Sequence, residues 1–365
     1  MFVYLFLLVT GFLFLLLCEK RMKPKALPVG SSGNNRTYYK NERILPALFL
    51  LLLIFVGAFR YDVGRDYMSY VDIFEGVKGS RAGIGAQLLN TGCKAVGGTS
   101  QLMFFIVAVL TLSLFYKAMK MYSSEIMLSL FIFLCFGQMY LNTFNTIRQC
   151  FAAAVFMYSI QFIVKRKWKQ YFLLILLACT FHVSAIVLIP LYWVLNKTWS
   201  WKTVLAMGAF FVLLPRLNLL QILTRADEYR IYEILNQIDT SFIDYLYLLI
   251  SILIILYRKR LFCKSPYRTV FLNINYVFCF LTLAIILNGG SPEALLFLRL
   301  RYYFVFFYAI ILQLIISGFR IDNNYWIVKY STALFLSFLF IRTAIILGKE
   351  YDLLPYQFNF QLFNF

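Results

Sequence analysis

Apolar runs of about 16 to 20 residues recur along the chain, at 1–18, 44–59, 101–116, 126–141, 150–164, 242–257, 269–287, 302–319 and about 327–347, the length that a helix rising 1.5 Å per residue needs to cross a hydrocarbon layer ~30 Å thick. Each run is bounded by charged or Pro/Gly-containing stretches. The pattern predicts an all-α, polytopic integral membrane protein, with residues 1–365 as a single membrane domain and external loops holding short helices. One stretch resists simple counting. Residues 171–195 form one long apolar run and 203–220 a shorter one, yet between 171 and 220 the chain must change sides. Either 171–195 spans once and 203–220 is re-entrant, or the long run breaks near His182 into two half-helices, which is tolerated where backbone is buried in protein or lines a cavity. About 10 to 12 transmembrane or re-entrant helices cover both cases.

Orientation follows from the basic residues between the runs. Residues 19–43 carry Lys20, Arg21, Lys23, Lys25, Arg36, Lys40 and Arg43 around a Gly/Ser/Asn patch, predicting a flexible cytoplasmic loop. The first run has no basic segment before it and no small-residue cleavage site after it, so it is read as a first span and not a signal peptide. Lys165-Arg166-Lys167-Trp168-Lys169 and the Arg258–Arg268 stretch then fall on the cytoplasmic side, and both termini are expected outside. External segments are 60–100, 221–241 and 348–365, with turns at 142–149 and 288–301. The first concentrates glycine beyond Tyr70, with seven of the chain's 18 at 76, 79, 83, 85, 92, 97 and 98, and is expected to be mobile; the second is expected to form a short interfacial helix.

Composition agrees: 62% hydrophobic, 14% charged and mean hydropathy +0.75, against about 25% charged in a soluble domain. A net charge of +19 would suggest nucleic acid for a soluble chain, but orientation absorbs most of it here and no nucleic-acid partner is expected. Seven cysteines without a CxxC pair read as small hydrophobes, not as a metal or disulfide frame. What changes the picture is the kind of cation on each side. The external segments hold eight arginines (60, 65, 81, 148, 225, 230, 299 and 301) against three lysines, while the cytoplasmic loops favour lysine. Orientation does not call for external arginine. Binding of phosphate or pyrophosphate does, because a planar guanidinium grips two oxygens at once. The plainer alternative is snorkelling, or pairing with Asp62, Asp66, Asp72 or Glu75.

His182, the single histidine, sits inside an apolar run, where an ionisable group suggests proton transfer and a hydrogen-bonded core histidine is the plainer reading. Several chemistries lack their signatures. There is no G-x-x-x-x-G-K-[ST], no Asp-x-Asp and no G-x-S-x-G, so ATPase, metal-dependent nucleotide-sugar transfer and serine hydrolysis are unsupported. No cofactor and no metal is expected.

Three stretches together resemble the EpsG family of bacterial exopolysaccharide and capsule proteins, regarded as Wzy-like polymerases. They are Phe59-Arg60-Tyr61-Asp62-Val63-Gly64-Arg65-Asp66-Tyr67 with Tyr70 and Phe74; Asn145-Thr146-Ile147-Arg148-Gln149 continuing to Phe181-His182-Val183-Ser184-Ala185; and Arg299 and Arg301 with Tyr302 and Tyr303, then Leu354-Pro355-Tyr356. Arg65 departs from the family's usual small or polar residue. The resemblance implies a GT-C-like glycosyltransferase at the outer face of the bacterial cytoplasmic membrane, joining oligosaccharide repeat units carried on undecaprenyl pyrophosphate. Donor and acceptor lipids are the implied partners, together with the bilayer, a flippase and a chain-length regulator. It implies Asp66, Arg148 and His182 as catalytic residues, with Asp66 or His182 as base. Arg148, Arg299 and Arg301 would hold the pyrophosphate. Arg60 and Arg65 would position the substrate or pair with Asp62 and Asp66, and Gln149, Tyr302 and Tyr356 would complete the substrate site. A flippase for lipid-linked sugars and a glycan acyltransferase are the alternatives; the first predicts charges through the membrane rather than at its outer edge, and the second a histidine nearer the amino terminus.

Overall fold

The computed structural model describes residues 1–20, 44–79, 83–213, 241–258, 267–289, 292–319, 324–350 and 352–363. Expectations for the basic loop, for residues 221–240 and for Arg81, Arg225 and Arg230 lie outside them. The described chain is an all-α polytopic membrane protein, and its apolar helices pack into one bundle around an aromatic-rich core. In order they are α1 (Phe2–Lys20), α2 (Ile44–Ala58), α3 (Tyr67–Glu75), α4 (Ile84–Ala95), α5 (Ser100–Tyr122), α6 (Ile126–Cys135), α7 (Met139–Asn145), α8 (Ile147–Val164), α9 (Trp168–Phe181), a 3-10 turn (Val183–Leu188), α10 (Leu191–Val194), α11 (Trp201–Leu213), α12 (Phe242–Leu256), α13 (Arg268–Leu287), α14 (Pro292–Val305), α15 (Tyr308–Gly318) and α16 (Tyr325–Glu350). By length and composition α5, α8, α13 and most of α16 can each cross a membrane alone. The pairs α6/α7 and α14/α15 reach that length only together, each bent at a break as in a broken span or a re-entrant loop, and six shorter apolar helices accompany them.

Three apolar runs that look continuous in sequence are broken. α6 and α7 meet at 58° and α14 and α15 at 53°, where single spans at 126–141 and 302–319 were expected. The first break turns on Gly137 and Gln138, both left-handed at φ 62° and 59°. The backbone freed there is recovered when the Tyr247 hydroxyl donates to the Gly137 carbonyl at 2.9 Å, as a break inside a hydrocarbon layer requires. The two bends face each other, Phe136 stacking on Tyr308 with ring centroids 6.0 Å apart, and Phe306 packs on Phe115 and Phe133 at 4.5 and 6.2 Å between centroids. The third break is at His182, whose backbone is extended at φ −146°, ψ 106°. Beyond it the chain doubles back along α9: Tyr171 donates to the Leu188 carbonyl at 2.6 Å and its ring lies 5.4 Å from that of Tyr192. Of the two arrangements open for 171–195, the pair of half-helices is the observed one.

Residues 60–79 and 83–100, expected as a mobile loop, instead carry α3 and α4 packed against α5 and α9. Two glycines there permit close approach: a Cβ on Gly83 would stand 2.1 Å from the Thr180 carbonyl oxygen, and one on Gly85 2.4 Å from the Thr180 hydroxyl. Tail residues 352–363 strap the same end of the bundle. Gln357–Phe358 pairs antiparallel with Arg60–Tyr61, and Thr99 donates to the carbonyls of Gln361 and Leu362.

At the opposite end, where Lys165 closes α8, a buried polar network ties α5 to α15 and α16. The Glu125 carboxylate accepts from Lys329 Nζ at 3.0 Å and from the Tyr325 hydroxyl, with only 6% and 1% of the Glu125 and Lys329 side chains exposed. Gln313 bridges Ser123, Ser124 and Ser317 beside them. Removing one member of a buried ion pair strands the other charge, at a cost of about 3–5 kcal/mol. Lys329→Met should therefore lower the thermal midpoint of the purified protein sharply, and adding Glu125→Gln should restore much of it. A single variant that melts with the parent would show that the pair does not brace the bundle.

Candidate active site

The site is assembled where α3, α8, α9 and α14 converge, and its first support is Arg60. This side chain is 1% exposed; its guanidinium donates to the carbonyls of Gly57 at 2.7 Å, Val63 at 3.1 Å and Phe144 at 3.1 Å and lies 4.7 Å from the Phe104 ring centre. Arg60 thus braces two loops instead of pairing with Asp62. Gly64 follows at φ +104°, where a Cβ would stand 2.9 Å from both the Phe144 carbonyl and the Asn145 side-chain oxygen. This close approach brings Asp66, at the N-cap of α3, up to the start of α8. The Asp66 carboxylate makes no capping bond to its own helix, which leaves it turned to other work.

Around Asp66 the cations gather. Burial raises its pKa, and Arg65, Arg148 and Arg299 oppose that rise. His182 lies in the same field: burial first, then Arg148 and Arg299, pull its pKa down to about 4, so at neutral pH the imidazole is uncharged and able to accept a proton. Arg148 is half-buried and lies 5.6 Å from the centre of the Tyr70 ring. Gln149 Nε2 donates to the Arg299 carbonyl at 2.5 Å, fixing α14 to α8. Beside the imidazole, Tyr303 presents its ring at 6.5 Å between centroids and its hydroxyl to Ser184 Oγ at 2.8 Å. Asp66, Arg148, His182 and Arg299 thus share one electrostatic cluster, with the exposed Arg65 at its rim.

The other candidates stand apart. Arg301 pairs with Asp244 at 2.7 Å, both side chains 7% exposed, and stacks 5.0 Å from the Tyr247 ring centre; its Nη1 is buried without a hydrogen-bond partner. Asp244 also accepts from the backbone N–H of Ser241 at 2.9 Å in a capping box. Tyr356 is half-buried and donates to the Val56 carbonyl, part of the strap. Tyr302 is half-buried on α14. Asp244 was missed by sequence reasoning, although Ser241-x-x-Asp244 was a legible capping signal; Ser184 and Tyr303 stood in the stretches that carry the resemblance but were given no role at the site.

A family model matches residues 43–358, and it is that of the EpsG family. The chain belongs to the EpsG family. No curated protein and no solved structure matches it. The EpsG match takes in every candidate residue from Arg60 to Tyr356, and membership carries a polysaccharide-polymerase type of function.

Proposed function

We propose that this EpsG protein is a glycosyltransferase that polymerises oligosaccharide repeat units carried on undecaprenyl pyrophosphate, at the outer face of the bacterial cytoplasmic membrane. The observation that carries the proposal is the shared field of Arg148 and Arg299 over a carboxylate and a neutral imidazole. In the step, a hydroxyl oxygen of the acceptor repeat bonds to the donor's anomeric carbon while that carbon's bond to the pyrophosphate oxygen breaks. The bonding pair leaves with the lipid pyrophosphate, and the hydroxyl proton passes to Asp66 or His182. Arg148 and Arg299 offset the charge developing on the departing group. Arg65 meets the substrate at the rim, while Gln149 positions Arg299. Arg60 and Tyr356 support the site through backbone carbonyls, and Tyr302 lies beside the sugar path. Arg301, buried in its pair with Asp244, acts on the pyrophosphate only at a distance, as a cation behind the site. The lysine-rich turn at the opposite end favours a cytoplasmic placing of that end, with both termini outside.

The base is distinguished by variants assayed with purified protein and lipid-linked repeats. General-base loss costs about 10²–10⁴ in rate. If His182 is the base, His182→Ala loses that much, and the parent's rate holds from neutral pH downward until it half-disappears at about 4, where the imidazole takes up its proton. Full activity in His182→Ala removes it from the mechanism and leaves Asp66, for which Asp66→Asn should then show the loss. Full activity in both variants would overturn the proposed step.

A further inference from the structure

The end of the bundle away from the site gathers a second group of cations, brought together by the doubling back of the chain at His182. Lys165, Arg166, Lys167 and Lys169 stand at the turn from α8 into α9, all exposed. Phe172, one turn into α9, packs on Trp168 and Trp193 with ring centroids 6.0 and 5.4 Å apart, so the returning segment reaches the same level. The turn that follows is tied to the start of α13, where Asn273 Nδ2 donates to the carbonyls of Leu195 and Lys197 at 2.8 and 2.6 Å. Tyr122 links that start to the end of α8, its ring 5.7 Å from that of Phe271 and its hydroxyl accepting from the Gln161 N–H at 2.9 Å. Lys197 and Lys202, both exposed, thereby join the first four cations. From here α11 climbs away along α13, Trp199 stacking on Tyr276 and Phe211 on Phe280. Four of the chain's five tryptophans, at 168, 193, 199 and 201, lie along this edge, and all but Trp199 are exposed.

These cations have no counter-charge. Among the described residues none of the six is in an ion pair, and no aspartate or glutamate occurs between Glu125 and Asp227. Orienting the chain calls for lysine and arginine in such turns but not for the removal of acids, which weigh little in that sorting. A standing anionic partner does call for it, since a neighbouring carboxylate would compete for the same cations. Lys169 and Lys202 lie instead 5.6 and 5.8 Å from the Trp168 and Trp201 ring centres, and tryptophan rings favour the level of the lipid headgroups. Leu173 and Leu176 of α9 and Leu205 of α11, all exposed, continue the edge into hydrocarbon. We propose that this edge is a binding site for an anionic phospholipid, its phosphate held by Lys169, Lys197 and Lys202 and its acyl chains lying against those leucines. The ligand is a bilayer lipid and not a substrate, so the assignment is independent of the polymerase reading.

Tryptophan itself supplies the test. With Trp326→Phe in place, every remaining tryptophan lies on this edge, so quenching by a lipid brominated on its acyl chains reports which lipid stands there. In nanodiscs of phosphatidylcholine, dibrominated phosphatidylglycerol should associate about ten-fold or more tightly than dibrominated phosphatidylcholine, since each cation near a headgroup contributes about five-fold. Adding Lys169→Gln, Lys197→Gln and Lys202→Gln should bring the ratio close to one, while Lys165, Arg166 and Lys167 are kept to orient the chain. Lys202→Gln alone, a single exposed change, should lower the ratio by up to about five-fold and guards against loss of the triple variant. A ratio near one before any lysine is changed overturns the proposal, and is the result expected if an acidic protein surface occupies the edge instead. A ratio undiminished in both lysine variants overturns it as well, by showing that the lipid is selected by other cations. Turnover enters neither readout: a protein that forms no polymer yet selects phosphatidylglycerol keeps this site and loses the polymerase reading, and one that polymerises with a ratio near one loses only this site.

Discussion

Replacing Arg148 with alanine should reduce polymer formation by about 10²–10³, the usual cost of losing one preorganised group that stabilises developing charge, while the protein still accumulates and folds. Arg148 is half-buried and its described side-chain contacts are with Tyr70, so its removal does not open the core. Arg148→Lys should fall between the two, since an ammonium keeps the charge but not the planar fork. A second readout tests whether Arg148 belongs to the acid–base cluster at all. Arg148 lowers the pKa of His182 by disfavouring the imidazolium, and lowers that of Asp66 by favouring the carboxylate. Without it both pKa values rise, so the acidic limb of any remaining activity should move to higher pH whichever group is the base. Lys at this position should leave the limb near its parental place. An Arg148→Ala protein that polymerises at the parental rate with an unmoved limb would sink the assignment.

How far the sequence spoke depends on which physical force decided each feature. The break at His182 was one of two arrangements the sequence left open, because an apolar run of 25 residues is at the upper limit of one span and carries its one ionisable group near the middle. The break at Phe306–Phe307 left no such mark: neither glycine nor proline lies there, and the bend accompanies packing of Phe306 on Phe115 and Phe133, which are distant in sequence. Gly137 was visible as a letter but not as a left-handed hinge, because one glycine inside an apolar helix is unremarkable without the Tyr247 hydroxyl that completes it. The glycine-rich 60–100 stretch pointed to mobility by composition, yet Gly83 and Gly85 serve a close approach to α9 that only the fold defines. The arginines show the same division. Arg60, Arg148, Arg299 and Arg301 all lie just outside apolar runs and look alike in sequence. Folding separates a brace, a shared electrostatic cluster and a buried ion pair, according to which carbonyls and carboxylates arrive from elsewhere in the chain.

Arg60→Ala is the variant expected to damage the fold most. Three carbonyls, of Gly57, Val63 and Phe144, would lose their donor in a buried setting, where an unsatisfied polar group costs about 1–3 kcal/mol each. Contacts with the Phe104, Phe144 and Tyr67 rings, 4.7, 5.2 and 5.8 Å from the guanidinium carbon, would be lost as well. Releasing a buried charge returns part of this, so a net loss of about 3 kcal/mol is expected, visible as a lower thermal midpoint and poor accumulation in the membrane. The loss should also reach the site. Val63 precedes Gly64 and Asp66, and Phe144 precedes Arg148, so one guanidinium holds together the two loops that bring carboxylate and cation into one field. Arg60→Lys, which places a single ammonium among three acceptors, should fold better than alanine and still polymerise poorly per folded molecule. Parental melting and parental rate in Arg60→Ala would show that the loops hold their positions without the brace. Parental melting with lost polymerisation would return Arg60 to the substrate-positioning role that its place in the sequence first suggested.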